Sequence, residues 1–270
     1  MGNTFMSGLL RPDEGEPVIV VNEKGRSPVV LICEHAGKVI PKSLGSLGLS
    51  PEDLTRHIAW DIGAEAVARG LSKALDAPLL LQRYSRLAYD CNRPPESPGA
   101  MPGVSETTRI PGNENLAPEA RLARIRGIYR PFHDAVSRFL DLRAAQGVAS
   151  LLVTIHSFTP IYKGKRRHLD LGVLHDRDAR LADLVLSLCG RLKDIVVKRN
   201  EPYGPEDGVC HTLNLHGGPR GLNHVMLEIR NDLISHEAGQ VEWVARLAAI
   251  LGEAMTRIFP PTQVRMRSSS

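Results

Sequence analysis

The sequence predicts an α/β protein with a doubly wound, mostly parallel mixed sheet flanked by helices. Three observations support this. Short, continuous apolar runs recur as Val29-Val30-Leu31-Ile32-Cys33, Leu151-Leu152-Val153-Thr154-Ile155 and Val225-Met226-Leu227-Glu228-Ile229, the pattern of strands buried on both faces. Amphipathic helical patterns separate them, as parallel neighbours require crossover connections. Polar residues with useful chemistry, His35, His156 and Glu228, stand at or near the ends of these runs.

The elements follow in order. After the first run, Ser50-Pro51-Glu52-Asp53 has a capping serine, a proline at the first helical position and an acid that can return the cap, so a helix is expected there. A second helical pattern begins near Asp61, with Ile62, Val67, Leu71 and Leu75 on its apolar face, and leads into a strand at Pro78-Leu79-Leu80-Leu81. Residues 94–118 are rich in Pro, Gly, Asn and Glu, and are expected to form a lid or binding loop. An amphipathic segment spans 118–145, and Pro131 should kink or split it. Beyond 151–155 come a strand over 169–174, a helix over 179–189, a short strand over 195–197, a Gly/Pro loop over 200–209 and a helix over 237–258. No internal repeat or linker divides the chain, so residues 1–270 are expected to form one domain with short flexible tails near 1–15 and 262–270.

Composition narrows the class of function. With 34 Lys+Arg against 30 Asp+Glu in 270 residues, the net charge is +4 and is spread along the chain. The compact basic run Lys163-Gly164-Lys165-Arg166-Arg167 reads as a solvated loop, and aromatic residues make up only 4%, so nucleic-acid binding is not expected. No run approaches the roughly 18 apolar residues of a membrane span, so no membrane partner is expected. Cys33, Cys91, Cys189 and Cys210 form no C-x-x-C pair, and the first residues lack a secretory pattern; a reducing, cytoplasmic location is expected. The chain is expected to be a monomer or a small homo-oligomer.

In a doubly wound fold, ligands gather at the carboxyl ends of the strands. His35, His156 and Glu228 fall there, with Asn92-Arg93 in the loop after the second strand region. Two histidines and a carboxylate, with a position left for water, match the ligand count of a catalytic zinc centre, although neither histidine belongs to an H-E-x-x-H motif. Glu228 has two readings. It either pairs with an arginine inside the core, or serves as a general base of raised pKa. Arg93 is a candidate bidentate clamp for a substrate carboxylate, and Arg86 and Arg230 are further candidates. Asp61 alone reads equally as a helix cap. His211, His216 and His224 precede Glu228 and could line the pocket, His224 first among them because it is nearest to that strand.

Taken together, Cys33-Glu34-His35-Ala36-Gly37, His57-Ile58-Ala59-Trp60-Asp61-Ile62-Gly63-Ala64, Ser85-Arg86-Leu87, Asp90-Cys91-Asn92-Arg93-Pro94, Ile155-His156-Ser157-Phe158 and Glu228-Ile229-Arg230-Asn231-Asp232 resemble the N-formylglutamate amidohydrolase family. That family is similar in fold to the zinc carboxypeptidases and aspartoacylases, so the resemblance implies a zinc-exopeptidase-like sheet. It also implies one divalent metal, Zn2+ first, held by His35 and His156. Asn92 and Arg93 would then hold a small N-acyl amino acid, and Glu228 would act as base. Where carboxypeptidases carry their acidic ligand, three residues after the first histidine, this chain has Lys38. Asp61 is the chosen third ligand, with Glu34 and His57 behind it. The implied reaction is hydrolysis of N-formyl-L-glutamate to formate and L-glutamate, a step of histidine degradation. The alternatives are an amidohydrolase of another N-acyl amino acid, or a metal-free protein that binds a small carboxylic acid.

Overall fold

The computed structural model describes residues 8–260. Along the chain lie β1 (Val18–Val21), β2 (Val29–Cys33), α1 (Ala64–Leu75), β3 (Leu79–Gln82), the hairpin strands β4 (Val104–Ser105) and β5 (Thr108–Arg109), α2 (Pro118–Arg124) and α3 (Arg130–Ala145). There follow β6 (Leu151–Phe158), the hairpin strands β7 (Ile161–Tyr162) and β8 (Lys165–Arg166), β9 (Leu171–Leu174), α4 (Arg180–Cys189), β10 (Val197–Arg199), β11 (Asn223–Arg230) and α5 (Glu237–Ile258).

Seven strands form one sheet in the order β1-β3-β2-β6-β11-β9-β10. The central neighbours β3, β2, β6 and β11 are parallel, while β1 at one edge and β9 beside β11 run antiparallel to their partners. Alternation along the strands builds a core on each face. Val29, Leu31, Val153, Leu227 and their like pack under α1, α4 and α5, whereas Val30, Ile32, Leu152 and Met226 pack with Ile128, Phe132, Val136 and Leu140 near and along α3. His156 shares parity with Leu152, and Glu228 with Met226, so both belong to the α3 face. The chain steps from β2 to β3 on one side and later adds β6 on the other. A topological switch point therefore lies between the ends of β2 and β6.

Several local expectations are corrected. The Ser50 hydroxyl does cap, accepting from the Asp53 backbone N–H at 3.1 Å, but only a single 3-10 turn, Asp53–Thr55, follows. Neighbouring apolar residues, Leu47, Leu49 and Ala59, instead form a small cluster with Leu87 and Ile110. The 118–145 segment is split as expected, into α2 and α3, next to Pro131. A π-turn at Ile125–Tyr129 precedes it, and the Arg130 N–H bonds to the Ile125 carbonyl, shifting the ladder where proline has no donor to give. The strand expected over 195–197 forms two residues later as β10, and β1 was not anticipated. Of the tail expected over 1–15, residues 8–15 are pinned: Leu9 is buried, the Ser43 hydroxyl donates to its carbonyl at 2.6 Å, and Lys42 pairs with Asp13 at 2.5 Å. The rest of that tail, and residues 262–270, lie outside the described residues. No described helix is long and apolar enough to cross a membrane.

Candidate active site

The switch point is occupied by polar side chains. β2 runs straight into Glu34 and His35, and the chain returns through Asp61, whose N–H bonds to the His35 carbonyl at 3.0 Å. Gly63 makes that return possible. Its φ is +80°, and a Cβ there would lie 2.2 Å from the Ile234 carbonyl oxygen, so only glycine fits between Asp61 and α1. Gly37 is equally constrained, since a Cβ would meet the Arg83 carbonyl oxygen at 1.7 Å. On β6, His156 sits two residues before the strand ends, and the next N–H, that of Ser157, donates to Asp61 Oδ2 at 3.2 Å.

His35 Nδ1, His156 Nδ1 and Asp61 Oδ2 converge. The two nitrogens are 3.2 Å apart and lie 3.3 and 2.9 Å from the carboxylate oxygen. Ligands at the 2.0–2.1 Å bond length of a tetrahedral zinc site are separated by about 3.3 Å, so the three atoms already have the spacing of one face of such a site. They are the one group of three His, Cys, Asp or Glu residues so gathered among the described residues. The far side of each ring also has a carboxylate. His35 Nε2 is 2.7 Å from Asp90 Oδ1, and His156 Nε2 is 3.0 Å from Glu34 Oε2, the latter off the hydrogen-bonding direction. Carboxylates behind the rings favour a proton on Nε2 and leave the Nδ1 lone pairs facing one another, as in metal-ligating histidines.

Charge supports the same assignment. Glu34, Asp61 and Asp90 are buried, and the one guanidinium among them is Arg86, which reaches Asp61 Oδ1 at 3.3 Å and Asp90 Oδ2 at 2.9 Å. Three negative charges against one leave two. In the metal-free chain, protons on the histidines must supply them. Burial works against the charged form of His156, but Glu34 and Asp61 outweigh it and hold its pKa well above the usual range; His35 moves the same way beside Asp90 and Asp61. Burial likewise opposes ionisation of Asp61 and Asp90, yet the facing histidines, with Arg86 beside Asp90, hold both well below the usual carboxylate range. Two Nδ1 protons would then crowd onto Asp61 Oδ2, whereas one divalent ion replaces both.

Glu228 stands beside this triad. It pairs with His156 in the β6–β11 register and is 5% exposed. No arginine meets it, and Oε2 has no hydrogen-bond partner among the described residues. Burial raises its pKa to about 7. The core ion pair, one of its two readings, is absent: Arg230 turns instead to Asp170 and Asp232, each at 2.7 Å.

These residues line a cleft of about 470 Å³. Arg86, Asn92 and Arg93 are in its wall. The Asn92 amide is committed, donating to the Val209 carbonyl and accepting from the Thr212 N–H at 3.1 Å, so it fixes the 209–212 loop. Arg93 donates to the Asn92 carbonyl at 2.9 Å and meets no carboxylate among the described residues. Two sequence candidates are not brought in. Arg230 is tied up as described, and His224, at the opposite end of β11, bonds to the Leu222 carbonyl at 2.8 Å. His211 and His216 face Tyr129 and His133 instead, at 3.0 and 2.9 Å. Of the alternative metal ligands, Glu34 lies behind His156, and His57 is 3.3 Å from Glu106 in the cleft wall. The residue that sequence reasoning missed is Arg167. It was assigned to a solvated loop, yet it lines the cleft with Tyr162 and Tyr203.

A family model for N-formylglutamate amidohydrolase matches residues 27–235, a span that contains every residue of this site. The chain belongs to the N-formylglutamate amidohydrolase family. It is 29% identical over 192 residues to the N-formylglutamate deformylase of Pseudomonas putida, a match covering 62% of this chain and 67% of that protein. It is also similar to a gene product of Agrobacterium tumefaciens of known crystal structure, with a TM-score of 0.91 at 50% identity, covering 93% of this chain and 99% of the other. N-formylglutamate amidohydrolase from Ralstonia eutropha JMP134 shares the fold, with a TM-score of 0.60 at 23% identity over 90% of this chain and 97% of that one.

Proposed function

We propose that this chain hydrolyses the amide bond of N-formyl-L-glutamate to formate and L-glutamate, using one divalent metal, zinc first, and that it serves histidine degradation. The observation that carries the reading is the convergence of His35 Nδ1, His156 Nδ1 and Asp61 Oδ2 next to an unpartnered, buried Glu228. His35, Asp61 and His156 would hold the ion, which supplies Lewis acidity toward water and the amide carbonyl.

The remaining steps belong to the chain's own side chains. Glu228, with a pKa near neutrality, accepts a proton from the attacking water and returns it to the departing nitrogen. Asp90 and Glu34 keep the imidazoles oriented, and Arg86 holds Asp61 and Asp90 in register. Arg93 presents a guanidinium without a carboxylate partner to one substrate carboxylate. Arg86, doubly paired, contributes charge to the wall rather than a free fork.

Hydrolysis of N-formyl-L-glutamate, measured as formate and free glutamate, against hydrolysis of N-acetyl-L-glutamate, measured as acetate and free glutamate, tests this reading. It expects faster cleavage of the formyl compound. Efficient cleavage of the acetyl compound alone would transfer the function to another N-acyl amino acid.

A further inference from the structure

We propose that Arg167 binds the side-chain carboxylate of the substrate and so restricts the cleft to N-formyl derivatives of dicarboxylic amino acids. This rests on the amide-hydrolysis reading above and names the group that selects among its substrates.

The three arginines lining the cleft differ in how far they are already engaged. Arg86 is bound to two buried carboxylates, whereas Arg93 and Arg167 meet none among the described residues. A substrate with one carboxylate would need one of these two cations; a substrate with two would use both. Arg93 belongs near the reacting amide, since its neighbour Asn92 donates its N–H at 2.9 Å to Asp90 Oδ1, the atom that also faces His35. Arg167 comes from the other wall, at the end of the β7–β8 hairpin.

Its setting holds a guanidinium plane still while leaving one edge open. Arg167 lies 4.7 Å from the ring centroids of both Tyr162 and Tyr203 and 5.7 Å from that of Phe158, distances at which cation–π attraction operates. Nη1 is used up on the Tyr203 hydroxyl at 3.1 Å and the Thr159 carbonyl at 3.4 Å. Nε and Nη2 have no partner among the described residues, and these parallel donors form the edge that matches a carboxylate in a bidentate fork. The hairpin itself is tethered. Lys163 N–H donates to Glu106 Oε1 at 3.1 Å, joining it to the β4–β5 hairpin on the facing rim. A further acid of the wall, Asp207, accepts from the Gly204 N–H at 2.9 Å and is not paired with Arg167.

The test compares N-formyl-L-glutamate with N-formyl-L-glutamine, its isostere with an uncharged side chain, in the metal-loaded wild-type chain and in Arg167→Gln. The wild type should prefer the glutamate compound in kcat/KM, and the variant should lose about 10- to 100-fold of that preference, mostly through KM, as for a lost charge-assisted hydrogen bond. An equal loss on both substrates would make Arg167 a packing residue and overturn the assignment, as would a wild type without preference. Should Arg167→Gln not fold, Arg167→Lys keeps the charge without the fork and should retain only part of the preference. Calorimetric binding of glutarate against its monoamide separates the two readings. A tenfold or larger preference for glutarate that vanishes in the variant supports Arg167 even if no formate is released, and no preference in the wild type overturns it.

Discussion

Glu228 and His156 stand directly opposite one another in the parallel pairing of β6 and β11. Because both side chains project to the same face of the sheet, one strand register sets a proposed metal ligand beside the proposed base. Slipping that register by one residue would send one of them to the opposite face. The two roles are therefore built into the core of the sheet rather than into its loops.

Glu228→Gln keeps the shape of the side chain and removes the base. Turnover should fall by about 100- to 10,000-fold while metal content stays at the wild-type level. Steady-state kinetics with metal analysis of the same preparation checks both. A variant of normal activity would return Glu228 to a structural role.

Asp90 touches the far nitrogen of His35 rather than the converging ligand atoms. Asp90→Asn should weaken zinc binding about 10- to 100-fold without abolishing it, whereas Asp61→Ala should remove stoichiometric metal. Competition with a chelating dye measures the two constants. Equal affinities for wild type and Asp90→Asn would contradict the orienting role.

Metal and pH should act together on stability. In the metal-free chain Glu228 is raised from 4.5 to about 7, so between those values the folded state keeps a proton that the unfolded chain has lost. His35 and His156, also raised, extend the same sign above their usual range. Glu228's own contribution to the stability of the stripped chain should therefore fall as pH rises from 4.5 to about 7, by up to roughly 3 kcal/mol, while His133 and His216, which burial lowers to about 4 and about 3, act with the opposite sign below 6.5 and cancel in a comparison of wild type with Glu228→Gln. Zinc needs those histidines deprotonated, so its stabilisation, about 2.7 kcal/mol at a hundredfold excess over Kd, should grow with pH. Melting curves of the stripped wild type and of Glu228→Gln across pH isolate the Glu228 slope, and zinc-loaded samples give the other; a wild type that loses no stability relative to Glu228→Gln over this range contradicts the assignment.

Arg93→Lys replaces a planar fork with a point charge. Affinity for N-formyl-L-glutamate should drop about tenfold or more, and an analogue lacking the α-carboxylate should be little affected. A competition assay with the two compounds decides; equal losses would take Arg93 out of the binding wall.

Much of this site is legible before any coordinates. His35, His156, Glu228, Asn92 and Arg93 stand where strand ends were expected to gather them, and continuous apolar runs located those ends. The failures have physical causes. His224 was favoured for its nearness to Glu228 along the chain, but four residues of extended strand carry it about 13 Å away, to the other end of β11. Arg230 has the right chemistry, yet Asp170 and Asp232 capture it, and only tertiary packing reveals those partners. Arg167 was hidden in a basic run of solvated character because the ring and hydroxyl of Tyr203, which close over it beside Phe158 and Tyr162, come from a distant stretch of the chain. The Ser50 helix fails for another reason. A good cap begins a turn, but no apolar stripe of helical period continues it.

The central claim is that His35, Asp61 and His156 hold a metal on which amide hydrolysis depends. The most direct test measures formate release from N-formyl-L-glutamate by one purified sample as isolated, after chelation and after zinc restoration, with metal content determined at each stage. The account predicts about one equivalent of metal, loss of release with its removal and recovery on its return. Full formate release from a chain stripped of metal would contradict it.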